Sequence, residues 1–101
     1  MGSFSIKDHK GEFFSVLETT DNSQVAAMTI QPGEDSGAYG NHPGDQVIYC
    51  IDGEGEIEMG GNKHIITSGE AIIIPERTDH KAYNTGDQPF FFLNVYAPPA
   101  Y

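Results

Sequence analysis

The stretch GNHPGDQVIYCIDG, residues 40–53, decides how this chain is read. It places His42 and Gln46 at the head of a β-rich run, residues 46–51, that stops at the turn pair Asp52-Gly53. A second stretch, GEAIIIPERTDHKAYN (69–84), begins sixteen residues after Gly53 and carries His80 and Asn84. Strand residues at even separation project to one face, so His80 and Asn84 can share an interior. His42 matches Gln46 in parity, with Pro43-Gly44 as a place for a bulge between them. Two such stretches, joined by strand-rich sequence, can hold one metal ion inside a small β-barrel.

Working outward, almost every segment reads as a strand. Residues 12–19 and 25–31 are β-rich, the first followed by Asp21-Asn22 and the second by Pro32-Gly33. Residues 34–44 are polar and glycine-rich without a period and read as a loop entering the site. Residues 54–59 and 63–67 flank Gly60-Gly61, a strong hairpin signal. Residues 71–74 (AIII) are a short apolar run, expected as a strand buried on both faces. Residues 80–84 and 89–96 complete the set. No segment carries a capped apolar stripe of period 3.6, so no long helix is expected. Eight or nine short strands point to an all-β sandwich or closed barrel.

At 101 residues the chain is expected to be one domain, 1–101, with one modest core. Its formal charge of −10 opposes binding to nucleic-acid phosphates or an anionic membrane, so neither is an expected partner. No apolar run approaches the roughly 18 residues of a spanning helix. The lone Cys50 excludes an intrachain disulfide and, with no signal-peptide layout at the N-terminus, leads us to expect a cytoplasmic protein. A phosphate-binding glycine loop, a nucleophile elbow and a CxxC pair are all absent from the sequence.

The two stretches resemble the paired motifs of the cupin superfamily, G-x5-H-x-H-x3-4-E-x6-G and G-x5-P-x-G-x2-H-x3-N. The second histidine of the first motif falls on His42, its glutamate on Gln46 and its closing glycine on Gly53; the second motif falls on Gly69, Pro75, His80 and Asn84. Gly40 stands for the first histidine, Gln46 for the glutamate, and Arg77 for the middle glycine, the last read as a turn variation. The resemblance covers nearly the whole chain and implies a double-stranded β-helix (jelly-roll) barrel of the small single-domain type. It also implies a homodimer. It does not select a reaction, since this scaffold hosts dioxygenases, decarboxylases, isomerases and non-catalytic binders.

The expected metal ligands are His42, Gln46 and His80, holding a divalent ion such as Mn, Fe, Ni or Zn. Two imidazoles and one amide oxygen leave positions open for a small-molecule ligand. This set is neutral, which weakens retention of the ion but favours an anionic ligand. Gly40 removes a fourth donor. The rival reading is a non-catalytic module that binds or senses a small molecule without a metal; in it His42 and His80 are hydrogen-bonded core residues and Gln46 satisfies backbone groups. The sequence is compatible with an enzyme and with a non-catalytic binder alike.

Other residues carry smaller expectations. Asn84 is read as orienting the site or closing its loop rather than binding the ion, Cys50 as an inward and inert thiol, and His9 and His64 as surface residues. Asp45, Glu76 and Asp79 are read as solvated turn residues. Tyr39 is a candidate donor to a ligand, while Tyr83 is read as packing. Met28, Ile30, Ile48, Phe92 and Tyr96 are candidates to line the pocket. The tail (Tyr96, Pro98, Pro99, Tyr101) either pairs across a two-fold axis or folds back on its own barrel.

Overall fold

A computed structural model describes residues 2–101. After a short 3-10 turn at Lys7–His9 come eight strands: β1 (Phe14–Thr19), β2 (Gln24–Ile30), β3 (Asp45–Asp52), β4 (Glu54–Met59), β5 (Asn62–Thr67), β6 (Ala71–Ile74), β7 (His80–Tyr83) and β8 (Phe90–Ala97). They form a five-stranded sheet ordered β1-β2-β8-β3-β6 and a three-stranded sheet ordered β5-β4-β7, antiparallel throughout. The fold is the expected all-β jelly roll: the last strand is inserted between β2 and β3, a pairing that no local pattern announces. Loop residues 31–44 run beside β7, bridged at Asp35↔Tyr83 and Gly40↔His80.

Alternation along the strands decides what faces inward. In β3, Gln46, Ile48 and Cys50 are buried while Tyr49 is exposed. β8 contributes Phe90, Phe92, Asn94 and Tyr96, all buried, and its register sets Phe92 beside Cys50 and Tyr96 beside Gln46. Ile57 of β4, Ile66 of β5 and Ala82 of β7 answer from the smaller sheet, completing one core cluster with Ile30, Ile48 and Ile74. Gly55 lets the sheets close at one end, because a Cβ there would stand 2.3 Å from the Phe90 ring.

One expectation about burial needs correction, and one residue is buried against its parity. β6 is not buried on both faces: Ile74 is buried, but Ala71 is exposed and Ile73 is 61% exposed. It is an edge strand of the larger sheet, and a four-residue apolar run does not tell which of its faces meets a second layer. Phe91 faces outward by parity yet is fully buried. The N-terminal segment covers it: Gly11 N donates to Thr29 Oγ1 at 2.9 Å and Lys10 Nζ pairs with Asp52 at 3.0 Å, and Thr29 and Asp52 are the register partners of Phe91.

Candidate functional site

One end of the barrel is filled by Phe90, Phe92, Ile30 and Ile57, each at most 2% exposed. The other end holds a cavity of about 70 Å³, lined by His42, Gln46, His80, Asn94, Tyr96 and Tyr101 over a floor that includes Met28, Ile48 and Phe92. A site of that size takes a few waters or a small ligand, at roughly 10–15 Å³ per water. The structure thus brings His42, Gln46 and His80 to one pocket, where Met28, Ile48, Phe92 and Tyr96 also lie. Ile30 lies outside the lining, in the core, where it pairs with Phe90.

His80 opens β7, and its Nδ1 lies 3.0 Å from the Thr78 carbonyl oxygen. A carbonyl only accepts, so Nδ1 carries a proton, and in the corresponding neutral tautomer the lone pair lies on Nε2. The ring rests on bare backbone, since a Cβ on Gly40 would stand 2.8 Å from His80 Nε2. Gly40 and His80 also exchange both backbone hydrogen bonds, at 2.8 and 3.0 Å. Gly40 is therefore more than a missing donor: the space above it is used by the imidazole of His80.

His42 sits across the pocket, its ring centre 5.2 Å from that of His80 and 5.2 Å from that of Tyr96. Burial, and secondarily the neighbouring His80, hold its pKa below the ordinary imidazole value. The ring is therefore neutral at neutral pH and keeps a lone pair. Its carbonyl accepts from Arg77 N at 2.7 Å. Arg77 has φ 54, so it adopts the left-handed conformation that suits the glycine of the family motif. Asp45 accepts from Glu76 N at 3.0 Å and Asp79 accepts from Asn41 Nδ2 at 2.7 Å. These exposed turn residues strap the His42 segment to the His80 segment.

Gln46 is 5% exposed and donates from Nε2 to Asn94 Oδ1 at 2.9 Å. The two side chains exchange this one bond, and Gln46 Oε1 and Asn94 Nδ2 are left buried without partners. A buried acceptor and a buried donor are each costly unless something in the pocket meets them. Among the described residues no three His, Cys, Asp or Glu side chains converge, so a cation here would rely on the Gln46 amide as its third donor. The donor set fits a divalent ion: two imidazole nitrogens with lone pairs and an amide oxygen with nothing else to accept.

Asn94 escaped the sequence reading. Its signal was present, since it has the inward parity of Phe92 and Tyr96 and is a polar residue in an apolar strand. Gln24, 2% exposed, was also missed; it accepts from Ala100 N and Tyr101 N and donates to Tyr101 O, at 3.2, 3.0 and 2.7 Å. The tail accordingly folds back on its own barrel, with the Tyr101 ring centre 5.7 Å from that of His42 and 5.2 Å from that of Tyr96. Burial, then Tyr101, push the Tyr96 phenol upward, so it stays protonated.

The remaining candidates lie elsewhere. Tyr39 does not reach the pocket; it is 53% exposed and donates to Glu58 at 2.7 Å, as Tyr83 does at 3.0 Å. A tyrosine next to a site loop in sequence can equally point along the outer face, and Glu58 captures it there. Asn84 closes its loop, donating to Ile30 O and Gln88 O and accepting from Gly86 N. Cys50 is fully buried, and burial, followed by Asp52 and Glu70, raises its thiol to about 11, so it is inert. His9 is half-buried beside Glu12 and His64 is exposed.

Comparison with known proteins agrees with this architecture. The model of the cupin domain family matches residues 26–96. The protein YrkC of Bacillus subtilis (strain 168) is 33% identical over 93 residues, 86% of this chain and 50% of its own length. The chain thus spans about half the length of the curated relatives it matches. The crystal structure of BH2720 from Bacillus halodurans superposes with a TM-score of 0.88 at 34% identity, covering 99% of this chain and 83% of that one. A double-stranded β-helix protein from Klebsiella pneumoniae gives 0.84 at 30% identity, over 95% and 89%. On motif, fold and family match alike, the chain belongs to the cupin family.

Proposed function

We propose that residues 1–101 act as one cupin domain that binds a divalent cation through His42, His80 and Gln46, with a small oxygen-bearing ligand beside it. The observation that carries this reading is the buried Gln46 Oε1, unpartnered in the same pocket as two imidazoles. The neutral donors leave the cation's charge uncompensated, which favours an anionic ligand, and Asn94 Nδ2 offers that ligand a hydrogen bond. Tyr96 and Tyr101 wall the mouth and limit water. When bound, a divalent ion such as Mn, Fe, Ni or Zn would supply Lewis acidity or a centre for dioxygen.

Elemental analysis of protein purified without a metal column tests this reading, beside His42→Ala/His80→Ala. We expect about one divalent ion per chain, lost in the double variant; equal content in both overturns the assignment. A second reading has a specific observation behind it: no carboxylate joins the set, and Gln46 already bonds Asn94. In that reading the pocket binds a small polar molecule with no metal, and a chelator leaves the melting temperature unchanged. Two further parts of the proposal are a homodimer, consistent with the exposed Ile73 and Tyr49 on the outer face of the larger sheet, and a reducing cytoplasmic setting, consistent with the unpaired Cys50. Light scattering in solution checks the dimer.

A further inference from the structure

Asn94 is the most buried polar side chain of the barrel and is not one of the three donors to the cation. It is 1% exposed on the inner face of β8, diagonal to Gln46, since the register pairs Asn94 with Ile48 and Tyr96 with Gln46. An amide turned by half a rotation exchanges its oxygen and nitrogen with almost no change of shape, so packing alone does not say which atom faces a pocket. A hydrogen-bond partner fixes the two amides relative to each other, since turning both together would keep the bond and free Gln46 Nε2 and Asn94 Oδ1 instead. Asn94 Oδ1 takes the Gln46 N–H at 2.9 Å, and Gln46 Oε1 is thereby the atom left free.

We propose that Asn94 is a positioning residue for the cation, holding the Gln46 amide with its oxygen toward the pocket; this rests on the reading that His42, His80 and Gln46 bind the ion. The reverse orientation would turn two N–H groups toward the charge. Both residues sit on adjacent strands laddered from Asp45 to Cys50, so the backbone fixes the spacing of the pair, and a cation drawn to the Gln46 oxygen selects the arrangement in which Asn94 accepts. A purely structural role accounts poorly for the pair, because one mutual bond leaves two buried polar atoms unmet where apolar side chains would leave none.

The test is a double-mutant cycle on Co²⁺ affinity, measured by titration calorimetry with the metal alone. Asn94→Leu is expected to weaken binding about tenfold or more in the wild-type background, as loss of an orienting partner does. In a Gln46→Ala background the same change is expected to cost less than about twofold. An equal loss in both backgrounds overturns the proposal, because Asn94 then acts without Gln46. Asn94→Asp keeps an acceptor for Gln46 Nε2 and is expected to bind Co²⁺ at least as tightly as wild type. It carries the test if the leucine variant does not fold, and an aspartate variant as weak as one lacking the acceptor also overturns the proposal. Wild-type protein that takes no Co²⁺ overturns the metal reading and this proposal together, whereas retained wild-type binding with equal losses overturns this proposal alone.

Discussion

Along the inner face of β8, Phe90 and Phe92 point to the closed end of the barrel, and Asn94 and Tyr96 point to its mouth. The neighbouring β3 runs the opposite way and shows the same division, with Cys50 at the closed end and Gln46 at the mouth. The same strands therefore build two regions under different rules. At the closed end, burial is apolar and complete: the Phe90 ring fills the space a side chain on Gly55 would need. At the mouth, burial is nearly as deep but polar and half satisfied. Stability is concentrated at one end, and the other holds unmet hydrogen-bonding capacity. A site is recognised here by what its buried groups still lack.

Substitutions at the two ends ought to separate stability from binding. The largest effect is expected from Phe90→Ala, which empties a fully buried aromatic site and should cost about 3–5 kcal/mol of unfolding free energy in urea. A loss below about 1 kcal/mol would break the contrast. Next comes Gly40→Ala, at the mouth. Its Cβ would stand 2.8 Å from His80 Nε2 and push the ring aside, so Co²⁺ affinity should fall about tenfold, or 1.4 kcal/mol. Unchanged affinity would mean that the His80 position over Gly40 is immaterial to binding.

The double variant Gln46→Leu/Asn94→Leu sharpens the comparison in the other direction. It removes both orphaned polar atoms together, so the metal-free protein should unfold about 1 kcal/mol harder while cation binding disappears. Destabilisation would show that the polar pair supports the fold rather than the site. Smallest is Arg77→Gly. Relief of a left-handed residue, at roughly 1–2 kcal/mol, exceeds the added freedom of glycine in the unfolded chain, so a net gain of about 0.5 kcal/mol is expected in the melting curve.

Much of the fold was legible because strand period and turn residues are local properties. The hairpin at Gly60-Gly61 and the shared parity of Gln46 and Cys50 follow from neighbours in sequence. What eluded the reading depends on distant partners. Ile73 and Phe91 look alike as apolar strand residues, yet one lies open at a sheet edge and the other is roofed by the N-terminal segment. The candidate site divides similarly. The motif residues His42, Gln46 and His80 were visible by spacing and do line one pocket. Asn94 belongs to no motif, and only the insertion of β8 beside β3 makes it a neighbour of Gln46. Tyr39 and the tail required a side chain's direction, which the single sequence leaves undetermined.

The packed Phe90 end closes the barrel behind the pocket. An ion held by Gln46, whose side chain is almost wholly buried, and a ligand resting against Tyr101 at the rim would share a single route to solvent. On the proposed reading, an ion lying deeper would leave only after the ligand above it, so occupancy would become a queue in which the first to enter is the last to go. A bound ligand would then slow the escape of the ion without strengthening a single contact to it.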